Sequence, residues 1–187
     1  ARGHSTTLTT VDGEWDVAFP GNLGAPPKVS LPRLESWTAS ADEGVKHFSG
    51  TATYTKTIQA SRDWFTPDRA VFLDLGRVGD IAEVSVNGRS LGQLWKAPYR
   101  VEVSGVLRPG ENQLEIKVTN QWTNRIAGDR LLPADKKILG PPAAERRGAS
   151  GPPPLPESGL IGPVTIQSQP LNRVADELAL SAPELAD

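Results

Sequence analysis

The stretch "AEVSVNGRS", residues 82–90, decides the fold class. Ala82, Val84 and Val86 alternate with Glu83 and Ser85, the period-two pattern of a strand buried on one face. Asn87-Gly88 then interrupts it. A type I′ turn needs positive φ at both central residues, so this pair predicts a tight hairpin. Working outward, the same alternation returns. On the N-terminal side, Ala52, Tyr54 and Ile58 are interleaved with threonines, and Val71, Leu73 and Leu75 with Phe72 and Asp74. "EWDVAF" places Trp15, Val17 and Phe19 on one face. On the C-terminal side, Val101 and Val103 flank Glu102. "LRPGEN" (107–112) reverses the chain, and Leu114, Ile116 and Val118 follow in alternation. Val164 and Ile166 supply a last short strand. No segment between residues 45 and 120 carries a convincing amphipathic helix. Short strands at close spacing predict an all-β protein, an antiparallel β-sandwich of jelly-roll type.

The 187 residues suffice for one sizeable domain. With 37% hydrophobic and 22% charged residues the composition is globular rather than disordered. A formal charge of −2 gives no electrostatic reason to expect nucleic acid or an anionic membrane as partner. No apolar run approaches the ~18 residues of a membrane helix. The absence of cysteine excludes disulfides, thiolate metal sites and cysteine nucleophiles, and two histidines exclude a His-rich metal site. The expected organisation is a disordered leader or cut edge over residues 1–10, the β-sandwich over 11–167, and a C-terminal tail over 168–187. A Pro/Gly-rich loop insert spans 139–156.

Chemistry-bearing motifs are few. There is no nucleophile-elbow pattern, phosphate loop or dinucleotide fingerprint. Asp74, Glu83, Glu102 and Glu115 alternate with apolar residues and belong to solvated strand faces. Asp12, Asp42 and Asp63 sit in turn-like contexts. Hydrolysis of a glycosidic bond needs two carboxyl groups flanking one site, and no pair stands out, so no catalytic residue is assigned. His47, beside Phe48 before a Ser-Gly turn, reads as structural.

Two places break the strand pattern with aromatic-plus-Arg clusters: "LWKAPYR" (94–100), with Trp95, Tyr99 and Arg100, and "NQWTNRIAGDRLLP" (120–133), with Trp122, Asn124, Arg125 and Asp129. Trp and Tyr offer flat faces to the C–H side of a sugar ring. Asn, Asp and Arg offer fixed hydrogen-bonding forks to its hydroxyls. These seven residues are the candidate carbohydrate-binding set, on loops that would neighbour one another at one rim. The same residues admit a structural reading. Trp122 would cap the core, Asn120 and Asn124 would close turns, and Arg125 would pair with Asp129 four residues on. They also admit a docking reading, since Trp and Arg anchor protein interfaces. Trp15 reads as core, with Trp37 and Trp64 as candidates for the rim.

"VNGRSLGQLWKAPYRVEVSGVLRPGENQLEIKVTN" (86–120) resembles the sugar-binding jelly roll of family 2 glycoside hydrolases, which has the galactose-binding-domain fold. "SWTASADEGVKHFSGTATYTKTI" (36–58), "QWTNRIAGDRLLP" (121–133) and "LPESGLIGPVTI" (155–166) resemble, together with it, the C-terminal β-sandwich of family 106, the α-L-rhamnosidase-type enzymes. In those enzymes a catalytic barrel carries the chemistry, and this chain has no room for one. The resemblance therefore implies a non-catalytic accessory domain of a larger bacterial, secreted or periplasmic hydrolase. The implied ligand is a plant cell-wall polysaccharide or oligosaccharide, rhamnose-containing or pectic, and the implied partner is the parent catalytic domain. The alternative is a domain that only supports that barrel. An independent small hydrolase is the third possibility. Sandwiches of this kind also imply a structural calcium, to which Thr9–Asp16 and Ser40–Gly44 would contribute, although no calcium-loop spacing is present.

Overall fold

The computed structural model describes residues 4–139 and 155–171. It is a two-sheet antiparallel β-sandwich, as the alternation predicts. The larger sheet has the order β3-β2-β4-β10-β7-β8. Its strands are β2 (Trp15–Ala18), β3 (Lys28–Leu31), β4 (Thr51–Ala60), β7 (Ile81–Val86), β8 (Arg89–Leu94) and β10 (Gly110–Thr119). The smaller sheet has the order β1-β12-β5-β9, with β1 (Thr6–Thr10), β5 (Arg69–Asp74), β9 (Arg100–Glu102) and β12 (Thr165–Pro170). A two-stranded ribbon pairs β6 (Arg77–Gly79) with β11 (Gly159–Gly162).

The backbone of the larger sheet is the unbroken ladder of β4 with β10, from Thr51↔Thr119 to Ala60↔Gly110. Its inward side chains, among them Tyr54, Leu114, Ile116 and Val118, meet Val71, Leu73 and Ile166 of the other sheet in one core. Burial of such apolar surface is the main stabilising contribution. The predicted hairpin joins β7 to β8, with φ of 53° at Asn87 and 78° at Gly88. The Asn87 side chain also accepts from Gln113 N (3.0 Å) and donates to Val106 O and to Asn112 Oδ1. Asn112 in turn closes the Pro-Gly turn by accepting from Arg108 N. The two turns that bracket the central strands are thus tied to each other.

Tyr54 organises the core. Its buried hydroxyl accepts from Trp37 Nε1 (2.6 Å) and Leu160 N (3.0 Å). Burial raises its pKa well above the ordinary value, against the lowering effect of those two donors. Trp37, a candidate rim residue, is therefore core. Its ring stacks on Tyr54 and meets Phe48 edge-on.

Three expectations need correction. The leader assigned to residues 1–10 ends before Thr6, because Thr6–Thr10 forms β1 against β12. As an edge strand with little buried surface, it shows no apolar alternation. The tail assigned to 168–187 begins too early, since Ser168–Pro170 continues β12 and Leu171 N donates to Asp68 O. The stretch 120–133, expected as a loop, contains a helix, α2 (Thr123–Arg130). A single turn, α1 (Glu43–Lys46), is capped by the Asp42 side chain on Val45 N. The insert over 139–156 falls mostly outside the described residues, as does the tail beyond Leu171.

Candidate functional site

The site begins where β10 ends. Asn120 turns its side chain inward, donating to Phe48 O and accepting from Gly50 N. Gln121 then reaches across to Asp80, donating from its backbone N (3.0 Å) and from Nε2 (3.3 Å) to the carboxylate. From the other side Tyr99 donates its O–H to the Asp80 carbonyl at 2.7 Å. Asp80 sits at φ 85°, the left-handed region that the sharp step from β6 into β7 requires. Both aromatic loops therefore converge on one residue at one rim, with Asp80 as the clasp. Burial, and then the Asp80 charge, raise the Tyr99 hydroxyl pKa.

At this rim Trp95 is 69% exposed, with Lys96 Nζ 5.1 Å from its ring centroid. Trp122 is 51% exposed. Neither is a core cap, so the structural reading of Trp122 does not hold. A surface cavity of about 380 Å³ opens beside Asp80, Ala97, Tyr99 and Ile161, flanked by Arg77 and Glu157. These last two form a forked ion pair, Arg77 Nη2 donating to both carboxylate oxygens at 2.8 and 2.9 Å. Arg100 belongs elsewhere. It lies over the Phe72 ring at 3.7 Å and donates to Gln169 Oε1, on the smaller sheet.

The remaining three candidates turn inward on α2. Asn124 donates to Pro156 O and Ser158 Oγ, tying the helix to the segment before β11. Arg125 Nε lies 3.0 Å from Asp129 Oδ1, both side chains almost wholly buried at 4% and 8% exposure. They meet as charges rather than along the N–H axis. Asp129 Oδ2 accepts from Leu139 N. The Asn closes a long-range junction rather than a local turn, and the Arg and Asp pair across one helical turn. A second cavity of about 340 Å³ lies against this helix, between Gly24, His47, Arg125, Gly128 and Leu131. His47 is buried, its Nδ1 3.3 Å from Glu43 Oε2.

Sequence reasoning missed Asp80. A carboxylate between two short strand patterns carries no local signal. Its role depends on the register that brings β7, β10 and the Trp95 loop together. Among the described residues no group of three or more acidic or histidine side chains converges on a metal-sized space. Asp42 is committed to its helix cap and Asp16 to Lys28 at 3.3 Å. Among the described residues, the stretches Thr9–Asp16 and Ser40–Gly44 therefore bring together no carboxylate cluster of the kind a calcium ion takes.

Three comparisons bear on this arrangement. Residues 39–145 match the family model described as the glycosyl hydrolase 2 galactose-binding domain-like domain. Over 129 residues the chain is 50% identical to a putative beta-glucuronidase of Formosa agariphila, covering 69% of this chain and 11% of that protein. The structure superposes on a rhamnosidase from Novosphingobium sp. PP1Y with a TM-score of 0.79 and 43% identity, over 90% of this chain and 16% of the other. A beta-D-glucuronidase from Dictyoglomus thermophilum gives a TM-score of 0.59 at 21% identity over 90% of this chain and 28% of the other, a likeness of fold.

Proposed function

Because the chain belongs to the glycosyl hydrolase 2 galactose-binding domain-like family, we propose that it is a non-catalytic carbohydrate-binding module of a larger glycoside hydrolase. In this reading the parent degrades plant polysaccharide, and the module holds a rhamnose-containing or pectic glycan near the catalytic domain. The parent would be a secreted or periplasmic bacterial enzyme. The observation that carries the reading is the convergence of the Trp95 and Trp122 loops on Asp80, a residue that lines a surface cavity, with both indoles exposed. Rings held on rigid strands stack on sugar at small entropic cost. The share of the relatives covered, 11% and 16%, supports a part of a longer enzyme.

The test is affinity electrophoresis in rhamnogalacturonan, galacturonan, xylan and β-glucan. Retardation by one glycan, abolished by Trp95→Ala or Trp122→Ala in a folded protein, is the expected result. Migration unchanged in every glycan would overturn it.

A second reading has its own observation. Trp122 and Ile126 are both exposed, at 51% and 45%. They give α2 an apolar outer side suited to packing on the catalytic barrel. If no glycan binds, this structural role is the one that remains.

A further inference from the structure

Ile161 is an extra residue in a short ribbon. β6 and β11 pair Leu160 with Val78 and then Gly162 with Arg77, so Ile161 falls between two pairs with none of its own. A bulge of this kind bends the strand and re-aims a side chain. Leu160 is wholly buried, whereas Ile161 is only half-buried. Two surface cavities share Ile161 as a wall. One is the cavity of about 380 Å³ beside Asp80 and Tyr99. The other, of about 310 Å³, lies against Thr10, Asp12, Trp15, Arg33 and Leu34.

The two cavities are lined alike. Each has an aromatic ring (Tyr99 or Trp15), an arginine (Arg77 or Arg33) and an aspartate (Asp80 or Asp12), besides the shared Ile161. Neither arginine is a bare charge. Arg77 is held by Glu157 at 2.8 Å and Arg33 by Glu35 at 3.3 Å. An exposed pair of this kind presents donors and acceptors side by side. A ring hydroxyl, which is both donor and acceptor, can use such a pair without displacing it. The second cavity also has a donor to satisfy. Trp15 lines it and is wholly buried, yet its Nε1 has no acceptor among the described residues. A buried donor without an acceptor costs free energy.

We propose that the two cavities are consecutive subsites for one glycan chain, which crosses over Ile161 with a sugar ring on each side. This rests on the glycan-binding reading above and narrows the ligand to an oligosaccharide in place of a single terminal sugar. A lining that repeats suits a ligand that repeats. Each volume lies at the small end of the range of ligand cavities, about 300–1,000 Å³, which suits one ring apiece. Ile161 offers its apolar surface to the C–H groups at the linkage, and the bulge is what sets it between the two cavities.

The test is a calorimetric titration of the 187-residue chain with the mono-, di- and tetrasaccharides of rhamnogalacturonan, galacturonan, xylan and β-glucan. In the series that binds, affinity is expected to rise at least roughly tenfold from the monosaccharide to the disaccharide. One tetrasaccharide should bind per chain, and it should move the indole N–H signal of Trp15 in an NMR spectrum. Arg33→Ala and Arg77→Ala remove side chains that are 82% and 61% exposed, so both variants keep the core. Each should weaken the tetrasaccharide by roughly fivefold, because one ligand touches both cavities. Equal affinity at every length overturns the proposal and leaves the glycan-binding reading standing. Two tetrasaccharides per chain, or a tetrasaccharide affinity unchanged in either variant, does the same. Binding of no glycan at any length overturns both.

Discussion

β10 and α2 follow one another in the chain and bury opposite kinds of side chain. β10 puts Leu114, Ile116 and Val118 inside and Glu115 and Lys117 outside. α2 buries Asn124, Arg125, Gly128 and Asp129, while Trp122 at its cap and Ile126 face outward. A strand that buries apolar groups needs nothing more specific than their shape. A helix that buries a charge pair and an amide depends on particular partners, because each polar group it hides must be matched. The first arrangement builds stability. The second holds a chosen geometry beside a cavity and leaves an apolar outer side.

Four measurements break or sharpen this contrast. Asp129→Ala leaves Arg125 buried and unpaired, and is expected to cost about 3–5 kcal/mol in chemical denaturation. The double variant Arg125→Met with Asp129→Leu should restore most of it. If the single change costs under about 1 kcal/mol, the value of an exposed pair, α2 is not polar-specified. Ile116→Ala, at the centre of the β4–β10 ladder, should cost about 2–5 kcal/mol through lost burial and a cavity, with no double variant needed to interpret it.

Tyr54 gives the core a pH limit. Its folded pKa is raised above the ordinary 10.0, so the unfolded chain loses this proton first. The stability that the neutral hydroxyl contributes is full below about pH 10 and lost as pH rises toward the folded value. Denaturation midpoints should therefore fall above about pH 10, and Tyr54→Phe should flatten that fall while lowering stability at neutral pH by about 1–3 kcal/mol. The smallest effect belongs to the outer side of α2. Ile126→Ser should change stability by no more than about 0.5 kcal/mol. A larger loss would mean that this side chain packs inward.

The contrast also explains what could be read in advance. The strands of the larger sheet announce themselves because burial on one face writes a period of two into the residue types. So does the hairpin, because Asn87-Gly88 supplies positive φ. α2 has no such signature. Its inward face is Asn, Arg, Gly and Asp, residues that locally favour caps, turns and solvent. The exposure of Trp95 was legible from its Lys-Ala-Pro neighbours. The inward turn of Arg125 and Asp129 was legible only as a four-residue spacing. The clasp at Asp80 was not legible, since it exists only once distant strands are in register.

The Tyr54 oxygen carries a consequence for the order in which the molecule assembles. One of its donors, Leu160 N, is 106 residues away. β1, near the start, finds its partner only in β12, where Thr6 faces Ser168. During synthesis the larger sheet has every strand it needs once Thr119 has emerged. The smaller one waits for Thr165–Pro170. Until then one side of the core is uncovered and the tyrosine lacks a donor. Such non-local closure slows folding. The growing chain therefore passes through a half-built stage in which its apolar face is open to other chains, and β12 is the strand that closes it.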